Sequence, residues 1–308
     1  MRKTAFMFPG QGSQTLGMGM AVVRAYNEAR DIFTRASDIM GYDMLELCAV
    51  GPMEKLSRTV YTQPALFTVE AAITEVLRAA GIKPVCAAGH SLGEFGAWYA
   101  AGVFGFEDGL RLVSARGRLM DGADPEGKGI MAAIIGLEYD IVRAACEAAV
   151  GTVVVANINS PRQMVISGER DALEQAGEIL RGKGAKRILP LKVSGAFHSP
   201  LMSAAETSFA LEIEKITICD AAFPVYANVT AREVTDAAMI RDSMVRQLTS
   251  PVRWTDTVHA MADAGIERAF EIGPGNVLAG LAARTDDRFS VVPVSDPRTI
   301  EEGLNDEA

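Results

Sequence analysis

Residues 89–93, "GHSLG", restrict the fold more than any other stretch of this chain. They match G-x-S-x-G, in which a strand turns into a helix so sharply that neighbouring backbones leave no room for a β-carbon at the glycines, and the serine between them is lifted out at the top of a sheet. Alone the pattern is weak, because 29 glycines are spread over the 308 residues. Its flanks supply the context: "VCAAG" reads as a short buried strand and "LGEFGAWYAAGVF" as the helix that follows. Such an elbow points to an α/β architecture. Ser91 becomes the candidate nucleophile, with the backbone N–H of Leu92 beside it for a developing oxyanion.

The remaining pattern agrees with that class and divides the chain in two. "TAFMF" is another buried-strand candidate, and "QPALFTVEAAITEVLRAAG" is helical, with Gly81 and Pro84 as its stop. At "GADPEGKG", residues 122–129, glycine, proline and charge cluster, which marks a domain junction. Beyond it come strand "GIMAAIIGL", helix "EYDIVRAACEAA", strands "TVVVANIN" and "RQMVISG" about an "NSPR" turn, helix "RDALEQAGEILRGKG" and strand "KRILPLKV". This β-α-β-β-α-β order is ferredoxin-like. Strand candidates then resume at "FPVYANV", "RAFEIG" and "FSVVPV". A small subdomain, residues 127–194, is therefore expected as an insertion in a larger α/β domain made of 1–126 and 195–308. The acidic end "EEGLNDEA" is expected to fray.

Composition removes several classes of function. The chain is 49% hydrophobic and 22% charged, ordinary for a soluble globular protein, and its net charge of −9 argues against a nucleic-acid partner. Cys48, Cys86, Cys146 and Cys219 lie far apart, without the short spacing of a zinc or redox motif, and fit reduced thiols in a cytoplasm. The start "MRKTAFMFPG" has an apolar run too short for a secretion signal, and no segment approaches a membrane span.

A serine nucleophile needs a base, and there are three histidines to choose from. His90 adjoins Ser91 on the elbow, so its side chain should point elsewhere and pack. His259, in "TDTVHAMADAG", reads as a solvated helix residue. His198, in "VSGAFHSPL", occupies an irregular stretch where the small subdomain returns to the large one, and such junctions line clefts. His198 is the expected base. No carboxylate stands out as a third member, so a backbone carbonyl is a possible orienting acceptor for the imidazole.

At these residues the chain resembles the malonyl-CoA:acyl carrier protein transacylases of fatty acid synthesis and the related acyltransferase domains of polyketide synthases. The resemblance runs nearly end to end through "FPGQGSQ", "TQPALF", "GHSLGE", "RG" at Arg116 and Gly117, "GAFHS", "QLTSPVRW" and "EIGPG", in the family's order. It implies an α/β-hydrolase-like large domain with an inserted ferredoxin-like subdomain. It also implies that Ser91 is the nucleophile, His198 the base and the Gln247 backbone carbonyl its orienting acceptor, with the oxyanion held by the N–H groups of Gln11 and Leu92. Without the family, "PGQGSQ" reads as a loop that lacks the ending of a phosphate-binding P-loop.

The resemblance further selects Arg116, from among the equally plausible Arg111 and Arg118, to grip the substrate carboxylate, a task suited to a guanidinium fork. Phe197, before the base, matches the bulky residue of malonyl-selective members. The implied reaction is ping-pong transfer of malonyl from coenzyme A to the carrier's phosphopantetheine thiol, with no cofactor, metal, nucleic acid or membrane, by a cytoplasmic monomer. Three alternatives share these residues in whole or part: a free-standing polyketide acyltransferase, a thioesterase or esterase using Ser91 and His198, and a non-catalytic carrier-binding protein. For docking an acidic carrier, residues 181–192 hold Arg181, Lys183, Lys186, Arg187 and Lys192 without an acid; a basic helix C-terminus favoured by the macrodipole is the other reading.

Overall fold

Ten strands form two separate sheets in the computed structural model, which describes residues 2–124 and 126–305. β1 (Thr4–Phe8) and β2 (Cys86–Gly89) come first; β3 (Gly129–Ile135), β4 (Val153–Ser160), β5 (Gln163–Glu169) and β6 (Arg187–Pro190) follow; β7 (Val225–Ala227), β8 (Arg232–Val234), β9 (Arg268–Ile272) and β10 (Ser290–Val294) complete the set. The six-stranded sheet has the order β10-β9-β1-β2-β7-β8, with every neighbouring pair parallel except β7 and β8.

β1 lies in the middle of that sheet, and all five of its residues are buried. Such a strand needs apolar side chains on both faces, because helices cover both sides of a parallel sheet. Alternation along the strand divides the core accordingly. Phe6 and Phe8 pack on one side with the helices Thr59–Ala79 and Phe106–Asp121, while Ala5 and Met7 pack on the other against Trp254, Val258 and Met261 of the helix Trp254–Asp263.

The second sheet has the order β4-β5-β3-β6, antiparallel throughout, with the helices Tyr139–Ala148 and Arg170–Gly182 on one face. That order is the ferredoxin-like one. Along β3 the parity again sorts residues: Ala132 and Ile134 meet the helices of their own unit, whereas Met131 and Ala133 join the core of the large sheet. Backbone hydrogen bonds tie the two units together, Ile158 N–H donating to Val252 O at 2.9 Å and Val252 N–H to Ala156 O at 2.8 Å.

Several elements differ from the sequence pattern. The helix expected from Gln63 starts at Thr59 and carries Pro64 inside it; 16 of its 21 residues are buried, so tertiary packing outweighs the proline. β6 stops at Pro190, which has no N–H for the ladder, and residues 191–193 turn toward the cleft described below. β8 was not anticipated; a turn with Ala231 at φ 54° folds it back on β7. Glu301 to Asn305 do not fray but close the helix Pro297–Asn305, whose start is capped by Asp296 Oδ1 accepting the Arg298 and Thr299 N–H groups. Asp306, Glu307 and Ala308 lie outside the described residues, as does Pro125 of the expected junction. Among the described residues no helix is long and apolar enough to cross a membrane.

One buried carboxyl lacks hydrogen-bond partners among the described residues. Glu70, in the helix Thr59–Ala79, is fully buried, neither carboxyl oxygen has a hydrogen-bond partner among the described residues, and burial holds its pKa well above the usual value. A folded-state pKa above the unfolded one means that stability is greatest at low pH and is lost as pH rises above about 4.3 toward the folded value. Replacing Glu70 by Leu removes that loss. Urea unfolding should show Glu70→Leu gaining more over wild type at pH 8 than at pH 5. A gain independent of pH would mean that the carboxyl has found a partner.

Candidate active site

β2 ends at Gly89, and the chain reverses into the helix Gly93–Ala100 across three residues. A β-carbon on Gly89 would come within 2.0 Å of the Gly93 carbonyl, and one on Gly93 within 2.0 Å of Phe8 O at the end of β1. Both positions therefore require glycine. Ser91, between them, is held at φ 52°, a left-handed conformation that non-glycine residues rarely adopt. Asn228, just after β7, holds this turn in place. Its Oδ1 accepts the Ser91 N–H at 2.7 Å while its Nδ2 donates to Gly89 O at 2.6 Å.

His198 reaches the same point from the loop after β6, also with a positive φ of 56°. Its Nε2 lies 2.7 Å from Ser91 Oγ. On the other side of the ring Nδ1 faces two carbonyls, Gln247 O at 2.8 Å and Ser250 O at 3.2 Å. Carbonyls only accept, so Nδ1 carries the hydrogen and Nε2 presents its lone pair to the serine hydroxyl. Burial, followed by the nearby Arg116 charge, lowers the His198 pKa to about 3. The ring is neutral near pH 7.

Arg116 projects from the helix Phe106–Asp121 and is only 1% exposed. Its Nη2 donates to Ser91 Oγ at 3.1 Å and to Gln247 Oε1 at 2.7 Å, and its guanidinium lies over the Phe95 ring. Burial lowers its pKa to about 10 and Glu94 raises it, which leaves a cation at neutral pH. Its Nε is buried without an acceptor among the described residues, so the group has donor capacity to spare. Glu94, fully buried on the elbow helix, accepts from Asn228 N–H at 3.1 Å and from Gln247 Nε2. Burial pushes its carboxyl up to about 7, while those hydrogen bonds and Arg116 pull it down.

Around Ser91 and His198 lies a cleft closed by Gln63, Met120, Met131, Val193 and Phe197. Gln11 and Leu92 sit at its rim, and their backbone N–H groups have no acceptor among the described residues. Gly10 permits the approach of the Gln11 loop, since a β-carbon there would be 2.4 Å from His90 O. The structure thus gathers Ser91, His198, Arg116, Gln247, Gln11, Leu92 and Phe197 at one cleft. Lys183, Lys186 and Arg187 are exposed, at the end of the helix Arg170–Gly182 and the start of β6, apart from the site.

The other histidines have different partners, although His90 also lines the cleft. His90 turns to Asn159 Oδ1 at 2.8 Å and packs on Trp254. His259, expected to be merely solvated, pairs with Asp286 at 2.9 Å, an acid that Arg288 also holds. Asn228, Ser250 and the side chains of Glu94 and Gln247 were not anticipated. The relevant contacts span 52 to 156 residues of chain, so no local spacing signals them.

The imidazole's environment yields a direct test. Nitrogen NMR of His198 should show the neutral form protonated at Nδ1, unchanged as pH is lowered from about 8 to about 5. Its folded-state pKa is below the unfolded value, so the contribution to stability is present above about pH 6.5 and is lost as pH falls through that window. A His198 titration midpoint near the ordinary value would overturn this account.

The chain is similar over nearly its whole length to known proteins. The acyl transferase domain family matches residues 5–297. A malonyl CoA-acyl carrier protein transacylase from Escherichia coli is 45% identical over 307 residues, covering 99% of each chain, and one from Bacillus subtilis is 40% identical over 98% of this chain and 96% of its own. Among solved structures, an acyl carrier protein S-malonyltransferase from Vibrio cholerae superposes with a TM-score of 0.95 at 42% identity, over 98% of this chain and 99% of the other. A malonyl-transacylase solved in complex with a type II polyketide acyl-carrier protein gives 0.96 at 42% identity, over 99% of each chain. With its elbow serine, its histidine and its buried arginine at a single cleft, the chain belongs to the acyl transferase domain family, among the malonyl-CoA:acyl carrier protein transacylases.

Proposed function

We propose that the chain transfers a malonyl group from coenzyme A to the phosphopantetheine thiol of an acyl carrier protein, through an ester on Ser91. The observation that carries this reading is the Arg116 guanidinium, buried and within 3.1 Å of Ser91 Oγ. An uncharged acyl chain gives such a buried cation nothing to bind, whereas malonate brings a carboxylate that a guanidinium fork holds with two parallel hydrogen bonds. This preference for a charged acyl group disfavours a simple esterase.

In the first half-reaction Ser91 Oγ attacks the thioester carbonyl as its proton passes to His198 Nε2. The oxyanion develops toward the N–H groups of Gln11 and Leu92. The C–S bond then breaks, coenzyme A leaves as the thiol with the proton from His198, and malonyl remains on Ser91. In the second, the carrier thiol gives its proton to His198 and attacks the ester carbonyl, and Ser91 Oγ leaves and regains the proton. The scheme calls on no metal or redox cofactor. Pairing of the malonyl carboxylate with Arg116 offsets the positive charge that depresses His198, so the correct substrate strengthens its own base. Phe197 and Met131 line the cleft, and the bulk of Phe197 would disfavour a methyl branch on the acyl group.

The carrier is acidic in the family this chain belongs to, and the chain itself carries a net charge of −9, so docking needs a basic exception. With residues 127–194 taken as the inserted subdomain, its exposed Lys183, Lys186 and Arg187 supply one, at the opposite end of β6 from Leu191 and Val193, which line the cleft. The pairing of a related transacylase with a polyketide carrier keeps a polyketide supply role as a second reading, decided by which carrier is accepted.

Intact-mass measurement after brief exposure to malonyl-CoA should show a malonyl adduct on wild type and none on Ser91→Ala. Arg116→Ala should lower kcat/KM for malonyl by about 2–5 kcal/mol, the range for breaking a buried hydrogen-bonded charge pair, and for acetyl by much less. Equal losses would make Arg116 structural. Reversing Lys186 and Arg187 to Glu should raise KM for the carrier and flatten its salt dependence while loading from coenzyme A stays near normal. Slowed loading with unchanged carrier kinetics would move the docking site elsewhere.

A further inference from the structure

The side chain of Gln247 has one end that donates and one that accepts, and its orientation decides what Arg116 meets. Nε2 donates to Ser91 O at 3.0 Å and to Glu94 Oε2, while Oε1 accepts from Arg116 Nη2 at 2.7 Å. The other Glu94 oxygen accepts from Asn228 N–H at 3.1 Å, and Asn228 is the residue that clasps the elbow. Glu94 and Gln247 are both 0% exposed, so neither amide nor carboxylate can exchange these partners for bulk solvent.

We propose that Glu94 is a positioning residue for malonyl recognition: with both carboxyl oxygens engaged as acceptors, it fixes the orientation of the Gln247 amide and thereby presents Gln247 Oε1 as the anchor for Arg116. This deepens the proposed function and rests on it. Turning the amide over would set its NH2 against the Arg116 Nη2 and its oxygen against both the Ser91 carbonyl and the Glu94 carboxylate. All three contacts would fail together. An amide at position 94 lacks this discrimination. With its oxygen toward Asn228 N–H, its NH2 faces Gln247 and favours the inverted orientation; with its oxygen toward Gln247, its NH2 opposes the Asn228 N–H. Either arrangement loses a buried hydrogen bond, and the first also releases Arg116. Among the described residues the Glu94 carboxyl accepts from Asn228 and Gln247, so its hydrogen-bonded path to Arg116 runs through Gln247.

The test measures acyl-enzyme formation from malonyl-CoA and from acetyl-CoA in wild type, Glu94→Gln, Gln247→Met, Arg116→Ala and the Glu94→Gln/Arg116→Ala double variant. Glu94→Gln should lower the malonyl-to-acetyl ratio of loading rates by about tenfold or more, the scale of one lost hydrogen bond to a charged group. The double variant should have a ratio no lower than Arg116→Ala alone, because both changes act through one guanidinium. Equal losses for the two acyl groups in Glu94→Gln would mean a structural role and overturn the proposal, as would fully additive effects in the double variant. If Glu94→Gln does not fold, Gln247→Met decides: a reduced ratio supports the relay and an unchanged ratio refutes it. A wild-type chain that loads no acyl group overturns the proposed function itself, whereas wild type and Glu94→Gln with the same malonyl preference overturn only the relay.

Discussion

Three backbones meet at the top of the large sheet, and the rest of the site depends on how closely they approach. Phe8 ends β1, Gly89 ends β2 and Gly93 begins the helix beyond, at separations that exclude any β-carbon at either glycine. This contact forces the chain to turn within Gly89 to Gly93, and the turn holds Ser91 at positive φ with its hydroxyl facing the cleft. Strain of this kind persists only where the surroundings over-determine it. Here the parallel register of β1 with β2 on one side and the Asn228 clasp from β7 on the other do so.

The electrostatics follow from the same close packing. One cation, Arg116, and one acid, Glu94, are buried near a neutral histidine, and the Gln247 side chain touches both charged groups. In a site shielded from water each charge acts strongly on its neighbours. Arg116 depresses His198 and partly restrains the rise in Glu94. A backbone carbonyl in the place of a third catalytic carboxylate fits this balance. An additional acid beside His198 would pair with Arg116 and compete with an anionic substrate, whereas the carbonyls of Gln247 and Ser250 orient the ring without bringing a full charge.

The second sheet contributes by closure. The parity of β3 sends Met131 toward the large sheet rather than toward the unit's own helices, and the exit from β6 carries residues 191–198 over the nucleophile. His198 therefore depends on both sheets. Its loop is fixed at one end by the ladder of β6 and at the other by the docking of Nδ1 on the Gln247 carbonyl.

Much of this was legible in the order of residues. Short apolar runs bounded by turn residues marked β1, β2 and the four strands of the antiparallel sheet. The glycines around Ser91 declared the elbow, since that turn admits no other residue, and the resemblance carried Arg116, Gln11 and Gln247 to their places. Short-range pattern could not reveal that Asn228 holds the elbow, that Ser250 shares the His198 proton, or that Glu94 and Gln247 meet across 153 residues. Nor could it show that burial carries the helix Thr59–Ala79 through Pro64. The sequence alone determined most of the strands and helices and which residue carries the hydroxyl, because those follow from local pattern and the sterics of single residues. Which polar groups share the buried site, and so which protons and charges the site holds, was decided only when tertiary packing brought distant segments together out of water.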